Sequence, residues 1–490
     1  MKAARMHGRA GLIWTVLAGL PVVCLYIWVG ATSPGFDDEI WTLRAAERAP
    51  DIKALLYYLR TEDVHPPLSY LLPWAWMQAG LSPEDLRAAI GAMVALSLVV
   101  LWRVASPVTG LPAAFAFLVI CLNPTLLLWG ATLRWYSLAL PMMVTVLVIL
   151  RVNPASPGRF WGALSLLGVL MGYTAYACLL FLPGVLLAAL WRRGWPWRQE
   201  RVFIALACLG VIAALLPQIV YVMPDQLALG QRLQDHGWLR QVGGLIVHLL
   251  MGHASMPLSM PSIAMLLGSL LLFAAAVWRC DKALITTWTV VLIPGLLMAL
   301  LLGIAASFRN LTVLIPAQAL WQSTLFHRTS SRPIVGAVFG LFAAGTAVGL
   351  WNVVAHEDTS KGSWNRPYWE ILDVIEAARD RCPDLSVVSH DPVLRWHLSP
   401  RDQPMLDIPR RGPEGRVLAH PGCLLVVESY SVRAGRQYMQ SLRDEVAQRP
   451  GQLSRHELGY DRHAEFKRLF IPRMMDHAAV VTVFAPLASP

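Results

Sequence analysis

The chain has 490 residues, of which 56% are hydrophobic and only 15% are charged. This composition excludes an ordinary soluble globular protein and is typical of a protein that crosses a membrane many times. The formal net charge is +10. The lysines and arginines fall in short groups between apolar runs rather than in one basic patch, so we expect no nucleic-acid partner.

Apolar runs long enough to cross a bilayer recur along the chain and predict about eleven transmembrane helices. The predicted spans lie near 11–31, 87–105, 111–130, 136–151, 160–175, 176–191, 201–222, 257–278, 283–305, 309–326 and 332–355. No cleavage site of small residues ends the first run convincingly, so we interpret it as a retained anchor rather than a signal peptide. Together the runs predict an α-helical polytopic membrane module over residues 1–355.

Basic residues in the short loops predict the orientation of this module. They precede the first span and follow the fourth, sixth, eighth and tenth spans, which places all of them on one side. The N-terminus is therefore predicted to be cytoplasmic. The long loop 32–86 then lies outside, and its short apolar segment 66–80 predicts an interfacial helix rather than another span.

The pattern changes from about residue 356 onward. Helical periodicity and short buried runs alternate there, which predicts a small α/β domain over 356–490 on the extracytoplasmic side. The helical segments are 368–381 and 435–449, and the predicted strands are 385–390, 423–430 and 479–485. Cys382 and Cys423 fall in this domain, where an oxidising compartment permits a disulfide. The sequence leaves open whether they pair, because it does not give their separation.

Four short motifs carry ionisable side chains at or near the predicted outer ends of spans. They are Asp37-Asp38-Glu39 after the first span, His65-Pro66-Pro67-Leu68 in the loop 32–86, Arg134-Trp135-Tyr136 after the third span, and a run from Arg309 to Pro316 that opens the tenth span. Ionisable groups at a membrane edge are functional candidates, because desolvation makes charge costly there.

In this order, the motifs resemble the GT-C superfamily of polyprenyl-phosphate-sugar-dependent glycosyltransferases, in particular the bacterial protein O-mannosyltransferases and lipid A aminoarabinose transferases. The resemblance covers about residues 1–330 well and the rest loosely. It implies a multi-pass protein of the bacterial inner membrane with a periplasmic active site. The implied reaction transfers a hexose or pentose from a polyprenyl-monophosphate donor to a glycolipid, polysaccharide or protein acceptor.

The acidic cluster is the predicted catalytic centre. Sugar transfer needs a carboxylate that takes the proton of the acceptor hydroxyl as it attacks the anomeric carbon, and a single displacement inverts that carbon. We predict Asp38 as this general base, with Glu39 orienting the acceptor or holding a cation and Asp37 binding substrate. The alternative is an acidic turn or N-cap, since Asp37 follows a Pro34-Gly35 turn signal and precedes helix-like sequence.

The two arginines are predicted to bind the donor phosphate, because a guanidinium recognises phosphate in a bidentate manner. For both Arg134 and Arg309 the alternative is snorkelling to lipid head groups. His65 is predicted to hydrogen-bond the donor or acceptor, or instead to mark a helix start fixed by the two prolines that follow it. Tyr136 is predicted to contact substrate, although aromatic residues also form ordinary membrane belts.

Many members of the superfamily carry a second acidic residue near the Arg-x-Tyr motif. Here Ala131, Thr132 and Leu133 precede it, which argues against a carboxylate-bound divalent metal. Three other functions stay open: a polysaccharide polymerase or ligase that uses diphosphate-linked donors, a lipid-linked sugar transporter, and a structural or assembly protein whose external domain binds a partner. The spans are almost free of charged residues and show no internal repeat, which favours an enzyme over a transporter.

Overall fold

The computed structural model of the chain describes most of its first half and much of its C-terminal part. The described residues are 9–35, 37–63, 65–105, 118–119, 121–194, 199–225, 333–354, 367–399, 404–406, 413–429, 436–458 and 479–487, with a few positions between 267 and 317. The chain divides into two compact units, one of Met1–Ser33 and Trp41–Val353, the other of Pro34–Ile40 and Val354–Pro490.

Helices build the described part of the first unit. They are α1 (Arg9–Thr32), α2 (Asp37–Arg48, whose first turn belongs to the second unit), α3 (Ile52–Glu62), α4 (Leu68–Gln78), α5 (Pro83–Ala105), α6 (Pro124–Gly130), α7 (Trp135–Val152), α8 (Pro157–Thr174), α9 (Tyr176–Leu179), α10 (Leu182–Arg192), α11 (Arg201–Pro217) and α12 (Pro333–Val354). A π-helical turn at Gln218–Val222 extends α11.

Four helices in the described ranges are long and apolar enough to cross a membrane. They comprise Thr15–Thr32, Pro83–Val104, Trp135–Val152 and Arg201–Asp225. These coincide with the first, second, fourth and seventh predicted spans, and α12 coincides with the eleventh. The predicted spans at 257–278, 283–305 and 309–326 lie largely outside the described residues. The total of eleven therefore stays a prediction.

Two predicted spans differ from the structure because a new helix starts inside each of them. The third was predicted to run unbroken to 130, but α6 begins afresh at Pro124, where the Asn123 side chain accepts the backbone N–H of Thr125 at 2.8 Å. A proline in the first turn after a capping side chain is a typical helix start. The sixth, predicted over 176–191, is divided into α9 and α10, and Pro183 lies in the first turn of α10.

Close packing of α1 against α5 fixes the start of the loop 32–86. A Cβ added at Gly30 would lie 2.6 Å from the Arg87 carbonyl oxygen, and one added at Gly91 would lie 2.6 Å from the Tyr26 carbonyl oxygen. Only glycine allows the two backbones to approach this closely. The fully buried Arg87 side chain donates from Nη1 to the Ser33 carbonyl at 3.0 Å, which anchors the chain as it leaves α1.

The loop 32–86 contains the helices α2, α3 and α4. Its place outside the membrane stays a prediction. Asp51 caps α3 by accepting the Ala54 N–H at 2.8 Å. The Trp74 indole donates to the Ala49 carbonyl at 2.9 Å and so joins α4 to the end of α2. Between the three helices lies a small apolar core, made of Ala45, Ala49, Leu55, Leu59 and Tyr70.

A buried ion pair connects the short loop before α8 with the loop between α10 and α11. Arg193 contacts both carboxylate oxygens of Glu200, and the Trp161 indole donates to Glu200 at 2.8 Å. Nη1 of Arg193 also donates to the Pro154 backbone carbonyl at 3.1 Å. Burial alone would raise the pKa of Glu200, but its contacts with Arg193 and Trp161 lower it. Arg193 was counted in the sequence as an ordinary basic loop residue, whereas here it is a structural cross-link.

The second unit contains a four-stranded mixed sheet in the order β1-β2-β4-β3. Its strands are β1 (Ser386–Val388), β2 (Leu424–Ser429), β3 (Gln452–Leu458) and β4 (Ala479–Phe484). β1 pairs with β2 in parallel, with Val387 opposite Leu425, and the other two pairs are antiparallel. The helices of this unit are α13 (Tyr368–Arg379), α14 (Pro392–Leu398), α15 (Arg416–Ala419) and α16 (Arg436–Gln448).

Strands β1, β2 and β4 and helices α13 and α16 occupy positions that the sequence predicted. β3 was not predicted. Side chains of α16 pack on the sheet through a buried cluster that includes Tyr438, Leu442, Val426 and Phe484. Cys382 and Cys423 form a disulfide with a Cα–Cα separation of 6.1 Å, which joins the segment after α13 to the start of β2.

Candidate functional site

The acidic cluster lies in the first turn of α2. Asp37 is the first residue of this helix. Asp38 is half-buried, and the Glu39 side chain is fully buried. Arg309, predicted to bind phosphate, lies outside the described residues.

Two of the predicted site residues, His65 and Arg134, meet in one hydrogen-bonded group. We call this group the Arg134 cluster; its members are Thr42, Asp63, His65, Tyr70 and Arg134. Nη1 of Arg134 donates to the Thr42 hydroxyl at 3.0 Å and to the Tyr70 hydroxyl at 3.4 Å. Its other terminal nitrogen, Nη2, lies 3.4 Å from Nε2 of His65. Arg134 is only 9% exposed, so its charge lies in a largely desolvated setting.

Asp63 is the centre of the cluster, and the sequence reasoning missed it. Its Oδ1 accepts the backbone N–H of His65 at 2.9 Å and faces the ring Nδ1 at 2.9 Å. Its Oδ2 accepts the Tyr70 hydroxyl at 2.7 Å. The spacing of Asp63 and His65 is that of an Asx turn, in which an aspartate bonds the backbone two residues on. An Asp two residues before His-Pro-Pro was therefore a usable signal.

Local structure explains how these side chains reach one another. α3 ends at Glu62, and Asp63 adopts extended backbone angles that turn the chain toward α4. Two prolines stiffen the connection, and α4 then begins at Leu68. Arg134 is the extended residue immediately before α7. Thr42 comes from α2, so the cluster joins three parts of the loop 32–86 to the start of a predicted span.

The hydrogen-bonding groups determine the tautomer of His65. A carboxylate only accepts and a guanidinium only donates, so a neutral ring with its proton on Nδ1 satisfies both Asp63 and Arg134. Burial alone would raise the pKa of Asp63. The hydrogen bond to His65, the charge of Arg134 and the Tyr70 hydroxyl outweigh burial and lower the pKa of this carboxyl to about 2. Asp63 is therefore ionised throughout the physiological range.

Tyr70 stays a neutral donor for a different reason. Burial is the main cause that raises its pKa, while the positive charge of Arg134 opposes the shift. The Tyr70 hydroxyl thus donates to Asp63 and accepts from Arg134 at the same time. Arg134 is thus a cation held in one orientation by neutral side chains, which are positioned in turn by the ionised carboxylate of Asp63.

Tyr136 is buried among aromatic residues. Its ring makes edge-to-face contacts with Trp129 at 4.8 Å and with Trp135 at 5.2 Å between centroids. These contacts pack α6 against the start of α7. The substrate role of Tyr136 stays a prediction.

Within the described ranges, no group of three His, Cys, Asp or Glu side chains is arranged to hold a metal ion. The one carboxylate of the Arg134 cluster, that of Asp63, is engaged with His65 and Tyr70.

The chain is similar to a known protein in structure and not in sequence. No protein-family model matches the chain, and no curated protein matches it. A solved structure, that of ArnT from Cupriavidus metallidurans bound to undecaprenyl phosphate, matches over 98% of this chain and 100% of that one, with a TM-score of 0.51 and 13% sequence identity. The chain has the fold of ArnT. The likeness in fold covers nearly the whole chain and so extends beyond residue 330.

At this identity the likeness shows the fold alone, and a fold can host more than one function. The function therefore has to be argued from the residues of this chain.

Proposed function

We propose that this chain is an integral-membrane glycosyltransferase that transfers a sugar from a polyprenyl-monophosphate donor to an acceptor on the outer side of the membrane. The observation that carries the proposal is the Arg134 cluster, which holds a buried guanidinium in place through three neighbouring side chains. The fold supports it, because the ArnT structure that shares this fold was solved with undecaprenyl phosphate bound.

A buried arginine suits the leaving group of this reaction. The bond that breaks joins the anomeric carbon to a phosphate oxygen, and the phosphate leaves with the electron pair. Charge that develops on the phosphate is stabilised best by a pre-oriented cation in a site of low dielectric. Arg134 fits this role, and we propose Arg309 as a second cation for the same phosphate.

The acidic turn of α2 supplies the base in this proposal. Asp38 is a half-buried carboxylate in the first turn of this helix. Asp38 takes the proton of the acceptor hydroxyl while the oxygen of that hydroxyl attacks the anomeric carbon. This single displacement inverts the anomeric carbon. We propose Glu39, Asp37, His65 and Tyr136 as groups that bind or orient the substrates.

The proposal also gives a location. The chain is expected in a bacterial inner membrane, with the active site and residues 356–490 on the periplasmic side. A glycolipid, a polysaccharide or a protein of the cell envelope is the expected acceptor class, since the donor lipid is confined to the membrane.

A transfer assay tests the proposal. Membranes that contain the full chain are supplied with polyprenyl-monophosphate sugars that carry a radiolabel, and the label is followed into lipid, polysaccharide and protein fractions. We expect label to move in membranes with the wild-type chain and, at a donor concentration near the wild-type KM, far more slowly with Arg134→Ala. Arg48→Ala is a matched control, because Arg48 is an exposed arginine at the end of α2. Transfer from diphosphate-linked donors alone would replace the proposal with a polymerase or ligase, and movement of intact donor across the membrane without transfer would indicate a transporter.

A further inference from the structure

We infer that Asp63 is a positioning residue that sets the orientation of the Arg134 guanidinium toward the donor phosphate. The inference rests on the proposed function and adds to it a residue that no motif identified. Asp63 acts through two side chains, one on each side of its carboxylate.

The first path runs through His65. Oδ1 of Asp63 lies 2.9 Å from Nδ1 of the imidazole and also accepts the backbone N–H of the same residue at 2.9 Å. These two contacts fix both the backbone and the ring plane of His65. The opposite ring nitrogen, Nε2, then lies 3.4 Å from Nη2 of Arg134.

The second path runs through Tyr70. Oδ2 of Asp63 accepts the phenolic hydroxyl at 2.7 Å, a short charge-assisted hydrogen bond. The same hydroxyl lies 3.4 Å from Nη1 of Arg134. The ring is buried in the apolar core of the loop 32–86, so the hydroxyl has little freedom to move.

The two paths end on the two terminal nitrogens of one guanidinium. A planar group held at both ends cannot rotate about its long axis, and bidentate recognition of phosphate depends on the direction of this plane. One carboxylate that is 12% exposed therefore controls the direction in which the fork can donate. Arg134 without Asp63 would keep its charge and its contact with Thr42 but lose the constraint on rotation.

This role predicts a specific kinetic pattern. Asp63→Asn keeps the size of the side chain and can still accept from His65, but it removes the charge and turns an amide N–H₂ toward the Tyr70 hydroxyl. Donor binding should weaken about tenfold, the loss of roughly one charge-assisted hydrogen bond. The kcat at saturating donor should also fall, because Arg134 is proposed to stabilise the charge that develops on the leaving phosphate. The acceptor KM should change little, because the proposed base is a different residue.

Binding of undecaprenyl phosphate to the purified full-length protein tests the inference, followed as ligand-induced thermal stabilisation. The variants are Asp63→Asn, Arg134→Ala and the double variant, with Asp51→Asn as the matched control. Asp51 caps the opposite end of α3, where asparagine caps about as well as aspartate. We expect Asp63→Asn to weaken binding in the wild-type background and to have no further effect in the Arg134→Ala background. Asp51→Asn should bind like wild type.

Equal loss of affinity from Asp63→Asn in both backgrounds would indicate a general structural role and overturn the inference. The inference would also be overturned if Asp63→Asn bound undecaprenyl phosphate normally while Arg134→Ala did not bind it. Should Asp63→Asn fail to fold, Tyr70→Phe cuts the second path while it keeps the ring, and it should weaken binding severalfold; unchanged binding would again overturn the inference. Absence of binding by the wild-type protein would refute the proposed donor, a result distinct from the others, and the inference would fall with it.

Discussion

Removal of Arg134 is the perturbation whose effect the structure defines most closely. The side chain is 9% exposed, and its Nη1 donates to Thr42 at 3.0 Å, so the fork is already in place before a donor arrives. Under the proposed function, Arg134→Ala removes one bidentate contact with the donor phosphate. Two charge-assisted hydrogen bonds at a buried site are worth ~3 kcal/mol together, which corresponds to about a hundredfold loss of donor affinity.

Kinetics with varied donor and fixed acceptor measure this effect. We expect the donor KM to rise about a hundredfold for Arg134→Ala, with the acceptor KM nearly unchanged. Arg134→Lys should recover only part of the loss, because an ammonium cannot make the planar fork. Arg48→Ala, the exposed control, should leave both constants unchanged. A donor KM near wild type in Arg134→Ala would refute the phosphate role and return this arginine to a structural or lipid-facing one.

Two further predictions concern stability, and a third concerns the disulfide. The pKa of Asp63 is lowered from its ordinary value of 3.8 to about 2, so the ionised carboxylate stabilises the folded protein at pH values above 3.8. This contribution, roughly 2 kcal/mol, should be lost as the pH falls toward about 2. Acid melting curves of Asp63→Asn should lack this pH dependence. Gly30→Ala places a Cβ 2.6 Å from the Arg87 carbonyl oxygen and should destabilise by about 1–3 kcal/mol in thermal melts, whereas Gly162→Ala meets no atom within 4 Å and should not. Cys382→Ser should abolish the mobility difference between oxidised and reduced protein on a gel, and two freely alkylated thiols in the wild type would contradict the disulfide.

The long helices could be predicted from sequence because the bilayer imposes one rule on them. A run of about twenty apolar residues has to satisfy its own backbone hydrogen bonds, so length and composition suffice. The same rule fails at short range. The helix break before Pro124 depends on a capping side chain, Asn123, that the apolar pattern of 111–130 conceals.

The Arg134 cluster shows why a site is harder to predict than a span. Arg134 and Thr42 are 92 residues apart in the chain, and only the packing of three loop helices brings them together. Tyr70 lies in an apolar segment rich in aromatic residues, where it has the pattern of an interfacial residue. Its role follows from two hydrogen bonds, to Asp63 and from Arg134, that periodicity does not encode.

The charge pattern of the short loops was misleading for one residue. Arg193 contributed to the predicted orientation, yet it is buried against Glu200 and contacts the next loop. In the second unit, β3 was missed because the segment Gln452–Leu458 is mostly polar and exposed. Polar side chains are expected on an edge strand, which this strand is, but they weaken the apolar signal used to find it.

The most direct test of the account compares donor binding and sugar transfer in Asp38→Asn. Asparagine keeps the size of the aspartate side chain but cannot accept the proton of the acceptor hydroxyl. We predict that undecaprenyl phosphate still stabilises this variant against heat while transfer falls by roughly a hundredfold to ten-thousandfold, with a smaller loss in Asp37→Asn and an intermediate one in Glu39→Gln. Near-normal transfer by Asp38→Asn with an inactive Asp37→Asn would show that the wrong aspartate was assigned. Near-normal transfer by all three variants would contradict the catalytic role of the acidic turn.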